Sequence, residues 1–464
     1  MPINSFENYP MTWKPKLEKT NQPLYLSLVN QLEKDIADGV LLPGTKLPPQ
    51  RELADFLDIN VSTISRAFKV CEKNGLLSGT VGSGTFVSYD VNTNIFMTPD
   101  HSSHLVEMGS MMPEMEAISK NEITVLLQKM MTEPDFENLF QYGSLEGRKW
   151  QREAAVKLIE KSGYKTTADL LLPASGGQNA IAAILAGLFQ PGDRIGTDPL
   201  TYPGIKSVAK MLGIQLVPIN HDNNEISEDG LLHACKNENI KGIYIIPNYQ
   251  NPTTHIMSED CRKMIARIAK EKKLIVIEDG INSLFMEKPF PAVASYAPEQ
   301  TIYIVSLSKT VAPALRLAYI AIPKNYMNDL KTALYNINIS QSVFLMELSS
   351  RMIASKNVDK LVNERRKRIR KRNQLVNKYL AGYQVMGDDE VIFRWLLLPE
   401  GMDGEQFEAM AFEKGVKVYA AERFTVGKIK PIDAVRLAVA APRSLEELEQ
   451  GLKILKELLK ENWI

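Results

Sequence analysis

Leu24, Leu28, Leu32 and Ile36 recur every four residues, a spacing that places them on one stripe of a helix, and Gly39 marks its expected end. Pro48-Pro49 predicts the start of a second helix, continuing through Arg51 to Leu57. Asp58-Ile59-Asn60 reads as a short turn, and a third helix is expected from Val61 to Asn74, stopped by Gly75. Two short strand-like runs within 76–87, hinged on Gly82-Ser83-Gly84, predict a hairpin. The stretch that follows is polar and unpatterned, with Asn, Thr, Pro and Ser prominent, so 13–88 is expected as one domain and 89–104 as a linker.

From residue 105 to 464 the pattern changes. Apolar, β-rich runs at Ile214–Ile219, Gly242–Ile246, Leu274–Ile277 and Thr301–Val305 alternate with helical stretches at Gln178–Phe189 and Ser258–Lys272. Such alternation predicts an α/β fold with a parallel sheet covered on both faces. Val391–Leu398, Val435–Val439 and a helix over Ser444–Lys460 predict a smaller C-terminal α/β subdomain, from about residue 365 onward. No internal repeat is visible.

Composition narrows the function only a little. With 464 residues, 44% hydrophobic and 24% charged, the chain is long enough for several ordinary globular cores. Lys plus Arg equals Asp plus Glu at 55 each, so nucleic-acid binding has to rest on a local motif rather than on overall charge. Cys71, Cys235 and Cys261 lie far apart and predict neither a disulfide framework nor a metal site. The longest apolar run, Ala180 to Phe189, is about half of a membrane span, and a cytoplasmic location is the expectation.

Helix, short turn, helix and glycine-tipped hairpin form an order that can put the third helix in a major groove and the hairpin beside the backbone. Ser62, Ser65, Arg66 and Lys69 are the groups on that helix able to reach bases or phosphates. The text LPPQRELADFLDINVSTISRAF, followed by NGLLSGTVGSGTFV, resembles the winged helix-turn-helix of the GntR family. The resemblance implies double-stranded operator DNA as partner, faced by Arg51, Asn60, Ser62, Ser65, Arg66 and the wing residues Gly82, Ser83, Gly84 and Thr85. A solvated helix face is the plainer alternative for the two arginines. The basic run Arg365–Arg372 also looks like a nucleic-acid patch, but its place in a long connecting helix favours a solvated face.

Polar clusters fall where the predicted strands end, the usual place for ligands of an open parallel sheet. SLSKTVAPALRLAY at 306–319 brings Ser306, Ser308, Lys309 and Arg316 together, and ASGGQNA at 174–180 sets Ser175, Gly176, Gly177 and Gln178 at a helix start, where free N–H groups favour an anion. With DPLTYPG at 198–204 and NYQNPT at 248–253 these segments resemble fold-type I aminotransferases, and the fusion behind a GntR-type head resembles the MocR subfamily. Pyridoxal 5′-phosphate is the implied cofactor. By the resemblance Lys309 bonds its aldehyde, Asp279 pairs with the pyridine nitrogen, Tyr202 stacks on the ring and Asn251 bonds the ring hydroxyl. Ser175, Gly176, Gly177, Gln178, Ser306, Ser308 and Arg316 would hold the phosphate, and Tyr142 would reach the phosphate of the other subunit of a homodimer. Arg436 would grip a ligand carboxylate with its planar fork.

Several positions depart from the family pattern. Ile281 and Asn282 stand where a tyrosine is common, Thr254 replaces the glycine of N-P-T-G, and Ala314 and Ala318 replace two further glycines. Cofactor binding with weak or partial transaminase turnover is the implied outcome. The favoured reading is a regulator that senses an amino compound or the cofactor itself, and the alternative is an active aminotransferase with an accessory DNA-binding head.

Overall fold

The helices Leu24–Ala37 (α1), Gln50–Leu57 (α2) and Val61–Lys73 (α3) are followed by the antiparallel strands Leu77–Thr80 (β1) and Gly84–Val87 (β2). The computed structural model describes residues 11–17, 22–37, 40–41, 45–73, 76–80, 84–88, 105–111, 117–427 and 431–460. Gly39, Asn74, Gly75, Gly82, Ser83 and the expected linker 89–104 lie outside them. The chain divides into two compact units, Met1–Ile95 with Glu422–Pro431, and Phe96–Ala421 with Ile432–Ile464.

In the first unit Leu28, Leu32 and Ile36 are buried as their spacing predicts, while Leu24 at the helix start is half exposed. They pack with Leu53 and Ala54 of α2 and with Ile64, Ala67, Phe68 and Cys71 of α3. Each fully buried leucine contributes roughly 1.5–3 kcal/mol. Asp58 takes the left-handed conformation that ends α2, and its N–H returns to the carbonyls of Ala54 and Asp55. The hairpin gains an edge that the sequence did not announce. Leu47 N–H donates to Thr85 O at 2.8 Å and Val87 N–H to Thr45 O at 2.9 Å, so residues 45–47 run beside β2.

The second unit is built on seven strands: Leu171–Ala174 (β3), Arg194–Thr197 (β4), Gln215–Pro218 (β5), Gly242–Ile245 (β6), Ile275–Asp279 (β7), Thr301–Ser306 (β8) and Ala318–Ala321 (β9). Their order is β3-β9-β8-β7-β6-β4-β5. All run one way except β9, which is antiparallel to both neighbours, so the sheet is mixed rather than purely parallel. The connection from β8 to β9, residues 307–317, contains no crossover helix, and a short connection can only return the chain antiparallel. Lys309 sits on this return. Apolar clusters cover both faces, one around Ile181, Ile184 and Ile205, the other around Ile265, Ile268 and Val276.

The strands Val385–Met386 (β10), Arg394–Leu397 (β11), Tyr419–Ala420 (β12) and Ala434–Leu437 (β13) form a second, antiparallel sheet in the order β10-β11-β13-β12. The helix Leu445–Leu458 packs on it, its first turn capped by the Ser444 hydroxyl. The basic run falls in the helix Asn357–Tyr379 and is not a solvated face along its length. Arg365 is buried and donates to the carbonyls of Lys309 at 2.9 Å and Val311 at 3.3 Å. Arg366 donates to Phe285 O at 2.9 Å and Leu284 O at 3.0 Å, and Arg372 to Val439 O and Pro442 O. These arginines satisfy loop carbonyls that would otherwise be buried without donors. Among the described residues no helix is long and apolar enough to cross a membrane, and no group of three acidic, His or Cys side chains could hold a metal ion.

Candidate functional site

The carboxyl ends of five strands of the large sheet supply the polar residues singled out in the sequence. β3 leads to Ser175–Gln178, β4 to Tyr202, β6 to Asn251, β7 ends on Asp279, and β8 ends on Ser306 ahead of Ser308 and Lys309. The helix Gly177–Leu188 points its N terminus at this edge, where first-turn N–H groups have no partner within the helix. Gly176 has φ of +91°. A Cβ there would lie 2.6 Å from Arg316 Nη2, so the missing side chain is what lets the guanidinium lie against the helix start. Arg316 Nη2 donates to Ser175 O at 3.2 Å. Ser306 and Ser308 are buried, with their hydroxyls 3.2 Å apart.

Asp279 is buried. Its Oδ2 accepts from the Tyr244 hydroxyl at 2.7 Å and its Oδ1 from Ile281 N–H at 3.1 Å. Burial raises its pKa to about 6, against the opposing effects of these bonds and of Lys309. Lys309 shifts the other way, down to about 8, because burial and then the nearby Arg436 and Arg316 disfavour its charged form. Burial and the Asp279 charge push the Tyr202 phenol up to about 12.

Arg436 is fully buried on β13. It donates through Nη1 to Asn251 Oδ1 at 2.7 Å and through Nη2 to Gly109 O at 2.6 Å. Lys309 Nζ donates to Met111 O. Both cations are thus bonded to the segment Leu105–Met111, which pairs in parallel with Val416–Lys417. Nothing in the sequence pointed to this segment, because it acts through its carbonyls rather than its side chains. Tyr244 was also missed, looking like an ordinary strand residue, and Arg365 was read only as part of a basic run. Asn338 and Gln341 likewise gave no signal, although Asn338 Nδ2 donates to Ser175 Oγ at 3.0 Å and Gln341 Oε1 accepts from that hydroxyl.

The departures from the family pattern have local consequences. Asn282 is buried, and its Nδ2 donates to Tyr249 O at 2.8 Å, while its Oδ1 has no hydrogen-bond partner among the described residues. Ile281 Cδ1 would lie 3.9 Å from a Cβ on Gly177, at the helix start. Thr254 takes φ of +64°, a left-handed position where a β-branched residue is strained. Tyr142 is 86% exposed on this chain.

In the first unit Arg51, Asn60, Ser62, Arg66 and Lys69 are exposed. Ser62, Arg66 and Lys69 follow helical spacing on the face of α3 opposite the buried Ile64, Phe68 and Cys71. Asn60 Oδ1 accepts from Ser62 N–H at 2.9 Å and from its hydroxyl at 2.8 Å, so this pair starts α3. Ser65 is bonded to Gln50 Oε1 at 2.6 Å, which ties α3 to α2. The Arg66 guanidinium lies 4.0 Å from the centre of the Tyr25 ring. Gly84 at φ of +112° and the half-buried Thr85 begin β2.

Comparison with known proteins assigns the class. Residues 24–87 match the family of bacterial regulatory proteins of gntR type, and residues 114–455 match aminotransferase class I and II. The chain belongs to the GntR-type transcriptional regulators that carry a class I and II aminotransferase domain, the MocR arrangement. It is 56% identical to the HTH-type transcriptional regulator YdeF of Bacillus subtilis over 460 residues, covering 99% of each chain. It is 27% identical to the HTH-type transcriptional regulator NorG of Staphylococcus aureus, over 68% of this chain and 76% of that one. Among solved structures, an archaeal alanine:glyoxylate aminotransferase superposes with a TM-score of 0.69 at 22% identity, covering 77% of this chain and 91% of that one. The α-aminoadipate aminotransferase LysN of Thermus thermophilus, solved with N-(5′-phosphopyridoxyl)-L-leucine, gives 0.69 at 20%, covering 77% and 92%. The DNA-binding regulator class and the aminotransferase fold are therefore those expected from the sequence.

Proposed function

We propose that the aminotransferase-like domain binds pyridoxal 5′-phosphate and senses an amino compound bearing an acidic group, and that this event changes the affinity of the winged helix for its operator. The observation that carries the proposal is the convergence, at one sheet edge, of an anion cradle, a buried acid and a lysine of lowered basicity. The fit is chemical as well as spatial. Gly176 leaves room that Arg316 occupies beside a helix N terminus, a setting suited to a phosphate, and Gln178 Oε1 and Asn282 Oδ1 are buried without partners among the described residues.

When bound, the cofactor supplies an aldehyde carbon that amines attack and a ring that withdraws electrons. Lys309 would hold that carbon, its amine neutral in a larger fraction than an ordinary lysine's. Asp279, supported by Tyr244, would hold a proton on the ring nitrogen, with Tyr202 against the ring and Asn251 at its hydroxyl. Ser175, Gly176, Gly177, Gln178, Ser306, Ser308 and Arg316 would bind the phosphate, and Tyr142, exposed on a single chain, would complete that cradle across a homodimer. Arg436 would take the ligand's acidic group by exchanging Gly109 O and Asn251 Oδ1 for a carboxylate, a stronger charge-assisted pair.

Signalling then has a physical route. The expected organisation is a DNA-binding head at 13–88, a linker at 89–104 and an effector domain at 105–464. Leu105–Met111 follows the linker directly, and its carbonyls at Gly109 and Met111 hold the two cations that a ligand would engage. An occupant that recruits Arg436 and Lys309 releases those carbonyls and so changes how the start of the effector domain is held. Coupling between sites of about 1–3 kcal/mol corresponds to roughly a 5- to 150-fold change in operator affinity, returned by the operator on the ligand. The test is operator binding by the apo chain, the cofactor-loaded chain and the loaded chain with amino acids, γ-aminobutyrate or taurine, beside an assay for keto-acid formation. A ligand-dependent shift supports the sensor. A shift on cofactor loading alone makes the cofactor the signal, and sustained turnover with indifferent operator affinity makes the protein an enzyme.

A further inference from the structure

A cavity of about 490 Å³ lies in the aminotransferase-like unit, apart from the lysine cleft. Its walls come from the loop after β4, the segment 221–226, the loop 250–257, β10 with the turn after it, and β11. Neither Lys309, Asp279, Tyr202, Arg316 nor Arg436 lines it. The volume falls in the range of small-molecule sites, about 300–1,000 Å³. Leu200, Ile226, Ile246, Met257, Trp395 and Leu397 give it an apolar body.

The charged groups of its lining carry mainly one sign. Asp198, Glu225 and Asp388 contribute carboxylates, and among the described lining residues there is no lysine or arginine. Two imidazoles accompany them: His221 Nε2 lies 3.0 Å from Asp198 Oδ1, and His255 Nε2 lies 3.0 Å from Glu225 Oε1. Glu225 is further satisfied by the backbone and hydroxyl of Ser258, and Asp388 accepts from the Tyr249 hydroxyl at 3.1 Å. Arg394 stands behind Asp388, its guanidinium engaged with Asn373, Asn377 and the carbonyls of Val385 and Met386. Asp198 is different. It is 6% exposed, and among the described residues no donor other than His221 reaches its carboxylate. A buried carboxylate with incomplete compensation attracts a cation strongly, since nearby apolar walls weaken screening. Trp395 adds an aromatic ring to the apolar wall.

We propose that this cavity is a second ligand site, for an organic ammonium compound with an apolar body, held by Asp198 and the apolar walls around Trp395. It is independent of the cofactor reading. Its occupant would bear on the lysine cleft through Gln250, which lines the cavity while the next residue, Asn251, bonds Arg436.

The experiment is calorimetric titration of the full-length chain with benzyltrimethylammonium, which has no primary amine to react with an aldehyde. Saturable binding is expected with and without pyridoxal phosphate, and unchanged in Lys309→Ala. Asp198→Asn should weaken it at least tenfold, and Met386→Trp, which fills the cavity from an exposed rim position, should abolish it in a chain of unaltered melting temperature. Phenylacetate should not compete. Absence of saturable binding, equal binding of phenylacetate, or full retention in both variants would overturn the proposal, and none of these readouts depends on cofactor or operator.

Discussion

Arg365→Ala separates a structural role for the basic run from a nucleic-acid role. The wild-type guanidinium donates to Lys309 O at 2.9 Å and to Val311 O at 3.3 Å from a buried position. Hydrogen bonds to a charged group are worth about 1.5–3 kcal/mol each, and a buried carbonyl left without a donor costs about 1–3 kcal/mol. Allowing for overlap between the two bonds, the substitution should destabilise the effector domain by about 3–5 kcal/mol. With an unfolding entropy of about 2.1 cal/mol/K per residue over roughly 350 residues, the melting temperature should fall by about 4–7 °C. The assay is thermal unfolding followed by tryptophan fluorescence, with Lys371→Ala as control because Lys371 is exposed in the same run. The control should melt within about 1 °C of wild type, as surface substitutions usually do. Equal melting of Arg365→Ala and wild type would refute the reasoning. A nucleic-acid patch would instead show as a salt slope of operator binding reduced by about one in the Lys371→Ala control.

Gly176→Ala should weaken pyridoxal phosphate binding by about 10- to 150-fold, because the added methyl displaces Arg316 from a charge-assisted contact worth about 1.5–3 kcal/mol; a cofactor titration that gives the wild-type affinity would refute it. Borohydride reduction of the loaded chain should trap the adduct on Lys309, and peptide mapping to another lysine would show the assignment wrong. The rate of cofactor addition to the apo chain should rise with pH up to about 8 and level off above it, since the neutral amine is the nucleophile and its pKa is lowered; a rate still rising at pH 10 would mean an ordinary lysine. Arg51→Ala and Arg66→Ala should each weaken operator binding, by about 1–3 kcal/mol with relaxed specificity for a base contact, or uniformly with a smaller salt slope for a phosphate contact, and unchanged affinity in both would remove the surface.

Local grammar was enough for the helices and strands that the sequence named. The stripe from Leu28 to Ile36, the turn at Asp58 and the β-rich runs at Thr301 and Gly242 are each written within a few residues, because side-chain periodicity and backbone preference act at that range. The same holds for the polar clusters at strand ends, whose residue types follow from the chemistry they can perform. Direction and proximity were not legible. β9 runs antiparallel because the return after β8 is short, and no residue within β9 records the orientation of its neighbours. The charges of Arg365–Arg372 looked like a surface feature, yet their partners are carbonyls some 50 to 80 residues away in sequence. Likewise Gly109 and Met111 enter the site through backbone oxygens, which every residue carries alike. Only the folded chain decides which carbonyls lie beside which buried cation, since burial imposes the need for a partner and tertiary packing determines who is close enough to meet it.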